Sequence, residues 1–330
     1  YNLKQPYNVS SSLYPLLGER ANGAFGSVVD LLCVFGIAGG VSASLGVASM
    51  QLGAGLGILA NFTPNAVHWA IIMVFIVATF IISSYSGINR GVRWLSDKNA
   101  KIYVFFCAQT KEILAMGTES MGFFAQNWIV QNTYLGVMAD GASTAMWPTW
   151  WTINYWSFMI AYTPLTGMFL AKIAQGRTLK EFSLFNFVLP GLFGMLWFAI
   201  FGSAAIYMEL NGAGIYDTMS AKGLESTVFA FFSNLPAGTV LSVVFMITAF
   251  LSVVTLCDSM TTTISSMTLT GEDVAGKEPP GKIKVFWGIV MASLAFINIF
   301  VAGITGNTSG INATKLLAIT CAFPLLFIVV

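Results

Sequence analysis

Apolar positions fall into long runs separated by short polar loops. The runs cover about Ala24 to Leu59, Trp69 to Ile88, about Trp147 to Ala171, Ser183 to Met208, Gly238 to about Met267, Val285 to Ile304, and Leu316 to Val330, where the sequence stops. About twenty apolar residues are needed to cross the hydrocarbon layer as a helix, and most of these runs reach that length. They do not alternate with period two, so they predict helices rather than barrel strands. Lys101 to Gly117 is a poorer span, interrupted by Lys111 and Glu112. Thr118 to Met138 mixes apolar and polar positions in a way that suits an amphipathic helix lying in the interface. With the poor span included, about eight transmembrane spans are expected. The chain opens in a polar loop and ends inside an apolar run, and so reads as part of a longer protein.

Composition supports this pattern. The chain has 330 residues, 56% hydrophobic and 9% charged. A soluble domain carries roughly a quarter charged residues, so the sequence predicts an all-α integral membrane protein. A formal net charge of +1 implies no nucleic-acid partner. Twelve of the fifteen basic residues sit in alternate loops: Lys4 and Arg20; Arg90, Arg93, Lys98 and Lys101; Lys172, Arg177 and Lys180; Lys277, Lys282 and Lys284. By the positive-inside rule those loops are cytoplasmic, as is the N-terminal segment, and the membrane expected is the plasma membrane.

The first run is dense in Gly, Ala and Ser (GIAGGVSASLGVASMQLGAGLG). Small residues let helix backbones approach closely; glycine also permits a bent or unwound segment lining a path. The third run begins with tryptophans and ends on Lys172, Arg177, Lys180 and Glu181. Pro164 interrupts it, removing the bond to the Ile160 carbonyl, which is tolerated in a membrane where the freed group lines a cavity or is buried in protein. Tyr155, Trp156, Phe158 and Tyr162 surround that break, and aromatic faces attract organic cations. Pro190 and Gly191 mark a kink in the fourth run.

Asp258 lies within an apolar span, where a carboxylate must be paired, hydrated or functional. Thr255 precedes it by three residues on the same face, and Thr261, Thr262 and Thr263 follow; oxygen-rich groups of this kind suit a hard cation, and they also occur as plain helix packing. Asp30 lies near a helix start, where it complements the helix dipole. The cysteines, Cys33, Cys107, Cys257 and Cys321, have no metal-ligand spacing and read as small apolar residues. An embedded enzyme would need a convergent catalytic set, but His68 is the lone histidine and no nucleophile–base pair is evident. A channel would need a filter or a charged ring, and neither is apparent.

The stretch WTINYWSFMIAYTPLTGMFLAKIAQGRTLKEF resembles the signature helix of the betaine/carnitine/choline transporter family. Further matches follow in order: SSLYPLLG with Gly23 to Asp30, SASLGVASMQLGAGL, SGINRGVRWLS, Ala139-Asp140-Gly141 and EPPGKIKVFWG. The resemblance covers nearly the whole chain. It implies a leucine-transporter-like fold of inverted repeats, incomplete here: one transmembrane transporter domain over 1–330, corresponding to family helices five to twelve. It implies alternating-access transport of a small zwitterionic or quaternary-ammonium solute, no enzyme activity, no cofactor, and commonly a homotrimer. The substrate residues it implies are Phe158, Met159 and Tyr162, with Tyr155 and Trp156 beside them. Met159 stands where the family has a tryptophan thought to contact the trimethylammonium group, so one aromatic face is lost. Ion-site residues are implied at Thr255 and Asp258, but Leu256 stands where sodium-coupled members carry a hydroxyl. That departure tips the balance towards sodium-independent exchange and leaves sodium symport open.

Overall fold

The computed structural model describes residues 7–86, 154–174, 176–269 and 278–305, with isolated positions at 115, 117–119, 121–122, 125–126, 319–321 and 324. The poor span, most of the interfacial helix and most of the last apolar run lie outside the described residues. So do the loops matching SGINRGVRWLS (apart from Ser86) and Ala139 to Gly141.

Every described element is helical. After three short helical turns, Ser10–Leu13, Tyr14–Leu17 and Gly18–Asn22, come eight helices: α1 Ala24–Ala60, α2 Ala66–Ser86, α3 Asn154–Ile173, α4 Leu179–Leu210, α5 Ile215–Lys222, α6 Thr227–Ser233, α7 Gly238–Met267 and α8 Gly281–Thr305. Five of them are long and apolar enough to cross a membrane: α1, α2, α4, α7 and α8. Helix α3 has twenty residues, about 30 Å of helix, but its tyrosines, threonines and proline keep it outside that set. Polar content of this kind is tolerated at membrane depth where a helix packs in protein or borders a cavity.

The chain forms two compact units. One comprises the described parts of Tyr1–Asn99, Ile153–Ile173 and Phe245–Val330; the other those of Ala100–Thr152 and Ala174–Val244. In the first unit α1 packs against α2, α3 and α8, and a shared core joins Ile37 and Leu45 of α1, Met73, Ile76 and Phe80 of α2, Val254, Cys257 and Ile264 of α7, and Met291 and Ile299 of α8. Lipid tails are as apolar as these side chains, so close packing and interhelical hydrogen bonds hold such a core more than exclusion from water does. Glycines set the approach. A Cβ on Gly288 would stand 2.9 Å from Cε2 of the fully buried Phe80, and one on Gly53 would stand 2.7 Å from Cδ1 of Trp69. The Ser42 hydroxyl donates to the Met291 carbonyl at 2.9 Å, tying α1 to α8.

Helix α1 is continuous over 37 residues, about 55 Å, so the glycine-rich run is neither bent out of helix nor unwound. Its intrahelical bonds survive because the glycines lie in a packed interior, where neighbouring helices take up the space a side chain would fill. It ends at Asn61, which adopts φ 55° while the Phe62 N–H bonds the Gly57 carbonyl. Asp30 does not sit at the dipole. It is the seventh residue of α1, and its two oxygens accept from the Ser10 backbone N–H at 2.9 Å and the Ser10 hydroxyl at 2.8 Å, pinning the N-terminal segment.

In the second unit the expected kink at Pro190 takes a different form. A π-helical turn, Leu184–Val188, immediately precedes Leu189 and Pro190, and a second spans Phe198–Gly202. The wider turn accommodates a ring that cannot donate a hydrogen bond and would crowd the preceding turn. Apart from Ser203 and Ala204, no side chain of α4 is buried. Phe193, Trp197 and Phe201 form a ladder along it, and Phe201 meets Phe231 of α6 edge-on at 6.2 Å.

Candidate functional site

Helix α3 passes through Pro164 without breaking. Pro164 is buried, and the preceding Thr163 hydroxyl donates to the Met159 carbonyl at 2.9 Å. The proline therefore leaves a local weakness in the helical ladder, not an unwound gap. The buried face of α3 carries Ala161 and Pro164. Gly36 of α1 comes into ordinary contact with it; a Cβ there would lie 3.7 Å from the Ala161 carbonyl oxygen. One turn along α1, Gly40 receives the Tyr162 ring. A Cβ at Gly40 would stand 2.6 Å from the phenol oxygen and 2.7 Å from Cζ. Ser44 donates to the Gly40 carbonyl at 3.0 Å, and the Tyr162 hydroxyl is buried with no hydrogen-bond partner among the described residues. The Tyr162 ring also meets Phe158, with centroids 4.9 Å apart and planes tilted by 53°.

The five aromatic-site candidates therefore divide. Phe158 and Tyr162, one helical turn apart, form a half-buried pair wedged by α1. Tyr155, Trp156 and Met159 turn outward, at 58%, 65% and 41% exposure. The 100° step of the helix separates them, because the face that buries Ala161 and Pro164 cannot also carry residues 155, 156 and 159. Sequence reading missed Gly40, since a glycine in a glycine-rich run gives no sign of which ring rests on it.

The second cluster gathers at Asp258. The Ser84 hydroxyl of α2 donates to its carboxylate. Two further charges act on it: Lys284 of α8, 5% exposed, and Glu278, which pairs with Lys284 at 3.5 Å. Thr255 does not join the carboxylate directly; its hydroxyl donates to the Leu251 carbonyl at 2.8 Å. Leu256 packs against the core. Ser84 and Lys284 had signals in the sequence, a serine pair closing an apolar run and a lysine inside the EPPGKIK loop, but nothing local linked either to residue 258.

Five helices long and apolar enough to cross a membrane, a proline within a further helix, an aromatic pair on a small-residue stripe and a carboxylate packed between helices together describe an α-helical membrane protein of several spans. A family model described as "BCCT, betaine/carnitine/choline family transporter" matches residues 1–330. The chain belongs to that family. Among its relatives, the glycine betaine transporter OpuD of Bacillus subtilis (strain 168) is 30% identical over 95% of this chain and 60% of its own length. The betaine/ectoine transporter LcoP of Corynebacterium glutamicum is 31% identical over 96% of this chain and 50% of its own length. The high-affinity choline transport protein of Escherichia coli (strain K12) is 28% identical over 99% of this chain and 48% of its own length. The chain thus spans about half to three-fifths of the length of these relatives.

Proposed function

We propose that the protein is a secondary transporter of a small zwitterionic or quaternary-ammonium solute in the plasma membrane, working by alternating access. The observation that carries this reading is the Phe158–Tyr162 pair beside Pro164, held on the Gly36–Gly40 stripe of α1. Two tilted rings present π faces to an organic cation, worth about 0.5 to 2 kcal/mol each. The relatives' names, betaine, betaine/ectoine and choline, support that cargo class. Met159 offers a polarizable thioether in place of a third ring. A zwitterion without a quaternary ammonium is the second reading, favoured by the missing aromatic at 159. Tyr155 and Trp156 flank the path. Asp258 is the carboxylate of the ion site, with Thr255 on its face. The leucine-transporter-like inverted repeat and a homotrimeric assembly complete the reading.

Uptake by the protein in proteoliposomes tests it. Phe158→Ala and Tyr162→Ala should each weaken apparent affinity for betaine, choline or carnitine by about 2- to 30-fold. Unchanged affinity at both positions sinks the assignment. Removing sodium decides between the two modes: symport collapses, whereas exchange between preloaded vesicles continues.

A further inference from the structure

The N-terminal segment is fastened to two helices at once. The Tyr7 hydroxyl donates to the Met168 carbonyl of α3 at 2.7 Å, although 161 positions separate them in sequence. Three residues on, Ser10 gives its backbone N–H and its hydroxyl to the two oxygens of Asp30 on α1, at 2.9 and 2.8 Å. Val9 and Leu13 beside these bonds are buried in the shared core. The segment turns at Gly18, φ 56°, and the fully buried Ala21 closes on the start of α1, where a Cβ on Gly26 would stand 1.8 Å from the Ala21 carbonyl oxygen. Tyr7 to Asn22 thus form a strap, anchored on α1 and reaching to α3.

The place where the strap grips α3 is specific. Before the proline, Ala161 is buried and Tyr162 rests on Gly40. Beyond Pro164 the packing thins: none of residues 166–171 is buried, and a Cβ on Gly167 would meet nothing within 4 Å. Pro164 has no N–H to bond the Ile160 carbonyl, so a weakened turn joins the two halves of α3. Met168 lies one turn past that joint, with its side chain at the edge of the shared core. The Tyr7 bond reaches its backbone, and so fixes the helix itself rather than a side chain. One group in the strap opposes docking: the Asn8 side-chain oxygen is buried with no hydrogen-bond partner among the described residues. A buried orphan acceptor favours release, so a few bonds hold the strap against a counterweight of its own.

We propose that Tyr7 is a positioning residue for transport: the strap ties the part of α3 beyond Pro164 to α1 in this conformation, and release of the Tyr7–Met168 bond accompanies movement of that part between access states. This role rests on the alternating-access reading above. The Phe158–Tyr162 pair stays wedged on α1 while the far half of α3 pivots at Pro164, so the strap sets which state is populated rather than how the solute fits.

Tyr7→Phe keeps the ring and removes the hydroxyl. Amide hydrogen exchange of the purified full chain reads the tether without any cargo. Exchange in residues 165–173 should quicken by about 2- to 13-fold, the worth of one neutral hydrogen bond, while residues 154–162 keep the parent's rates. In an Asp30→Ala background, which frees the strap from α1, the same substitution should add little. Unchanged rates beyond Pro164, or rates raised alike on both sides of it, overturn the proposal. In proteoliposomes supplied with betaine or choline on one face or the other, Tyr7→Phe should shift the apparent affinities at the two faces in opposite directions, because it biases one access state against the other. Equal shifts at both faces, or a lower rate alone, reduce Tyr7 to a structural contact and overturn its role in transport. A parent protein that moves none of these solutes would sink the transporter reading, and the exchange measurement would still decide the tether.

Discussion

Gly40→Ala puts one methyl group into the place occupied by the Tyr162 ring. The new Cβ would stand 2.6 Å from the phenol oxygen and 2.7 Å from Cζ, whereas carbon contacts are comfortable at about 3.5 to 4.0 Å. The ring must therefore retreat by about 1 Å, or α1 and α3 must part. Retreat is obstructed because Phe158 lies 4.9 Å away on the same helix. Overpacking of this kind costs about 1 to 3 kcal/mol, or about 5- to 150-fold in an equilibrium. Two assays read it. The purified protein should lose thermal stability, and uptake in proteoliposomes should show an apparent KM raised by about fivefold or more, because the Phe158–Tyr162 pair is displaced. The double variant Gly40→Ala with Tyr162→Ala should recover much of the stability loss, with a coupling of about 0.5 to 3 kcal/mol. If Gly40→Ala matches the parent in both assays, or if the two substitutions simply add, the wedge of Tyr162 on α1 does not exist.

Two further outcomes follow from the packing. Gly288→Ala should destabilise the protein by about 1 to 3 kcal/mol in thermal or denaturant unfolding, because its Cβ would meet the fully buried Phe80 at 2.9 Å, and Phe80→Leu should offset part of the loss. Thr178→Ala removes a capping box in which the Glu181 N–H donates to the Thr178 hydroxyl at 3.2 Å and the Thr178 N–H donates to Glu181 at 3.0 Å. It should lower thermal stability slightly and leave uptake affinity unchanged; a changed affinity would mean that the start of α4 takes part in transport.

Much of the architecture was legible in the order of residues. Hydropathy is a local property, and a run of about twenty apolar residues has few alternatives to a membrane helix. Accordingly α1, α2, α4, α7 and α8 lie close to their expected positions, with α8 beginning at Gly281 rather than Val285. The signature around Pro164 pointed to the family that the whole chain matches. Local reasoning failed where two conformations share one composition. A glycine-rich run is compatible with an unwound segment or a tightly packed helix, and only neighbours on α2, α3 and α8 select the helix. A proline in an apolar run is compatible with a kink, a π turn or an unbroken helix, and Pro190 and Pro164 settle differently because their surroundings differ.

The sequence by itself therefore determined that this is a helical membrane protein, which family it belongs to, and which helix carries the aromatic residues. Those properties depend on partitioning and on residue type, both additive along the chain. The tertiary structure decided which of those aromatics pair, that Tyr162 rests on Gly40, that Asp258 is met by Ser84, that the Thr255 hydroxyl donates to the Leu251 carbonyl, and that the Thr261 and Ser265 hydroxyls are buried without a hydrogen-bond partner among the described residues. Each of these is a contact, or the lack of one, between groups whose separation in sequence says nothing of their distance in space, and a membrane interior turns such contacts into large differences because no bulk water is present to satisfy what the protein leaves unpaired.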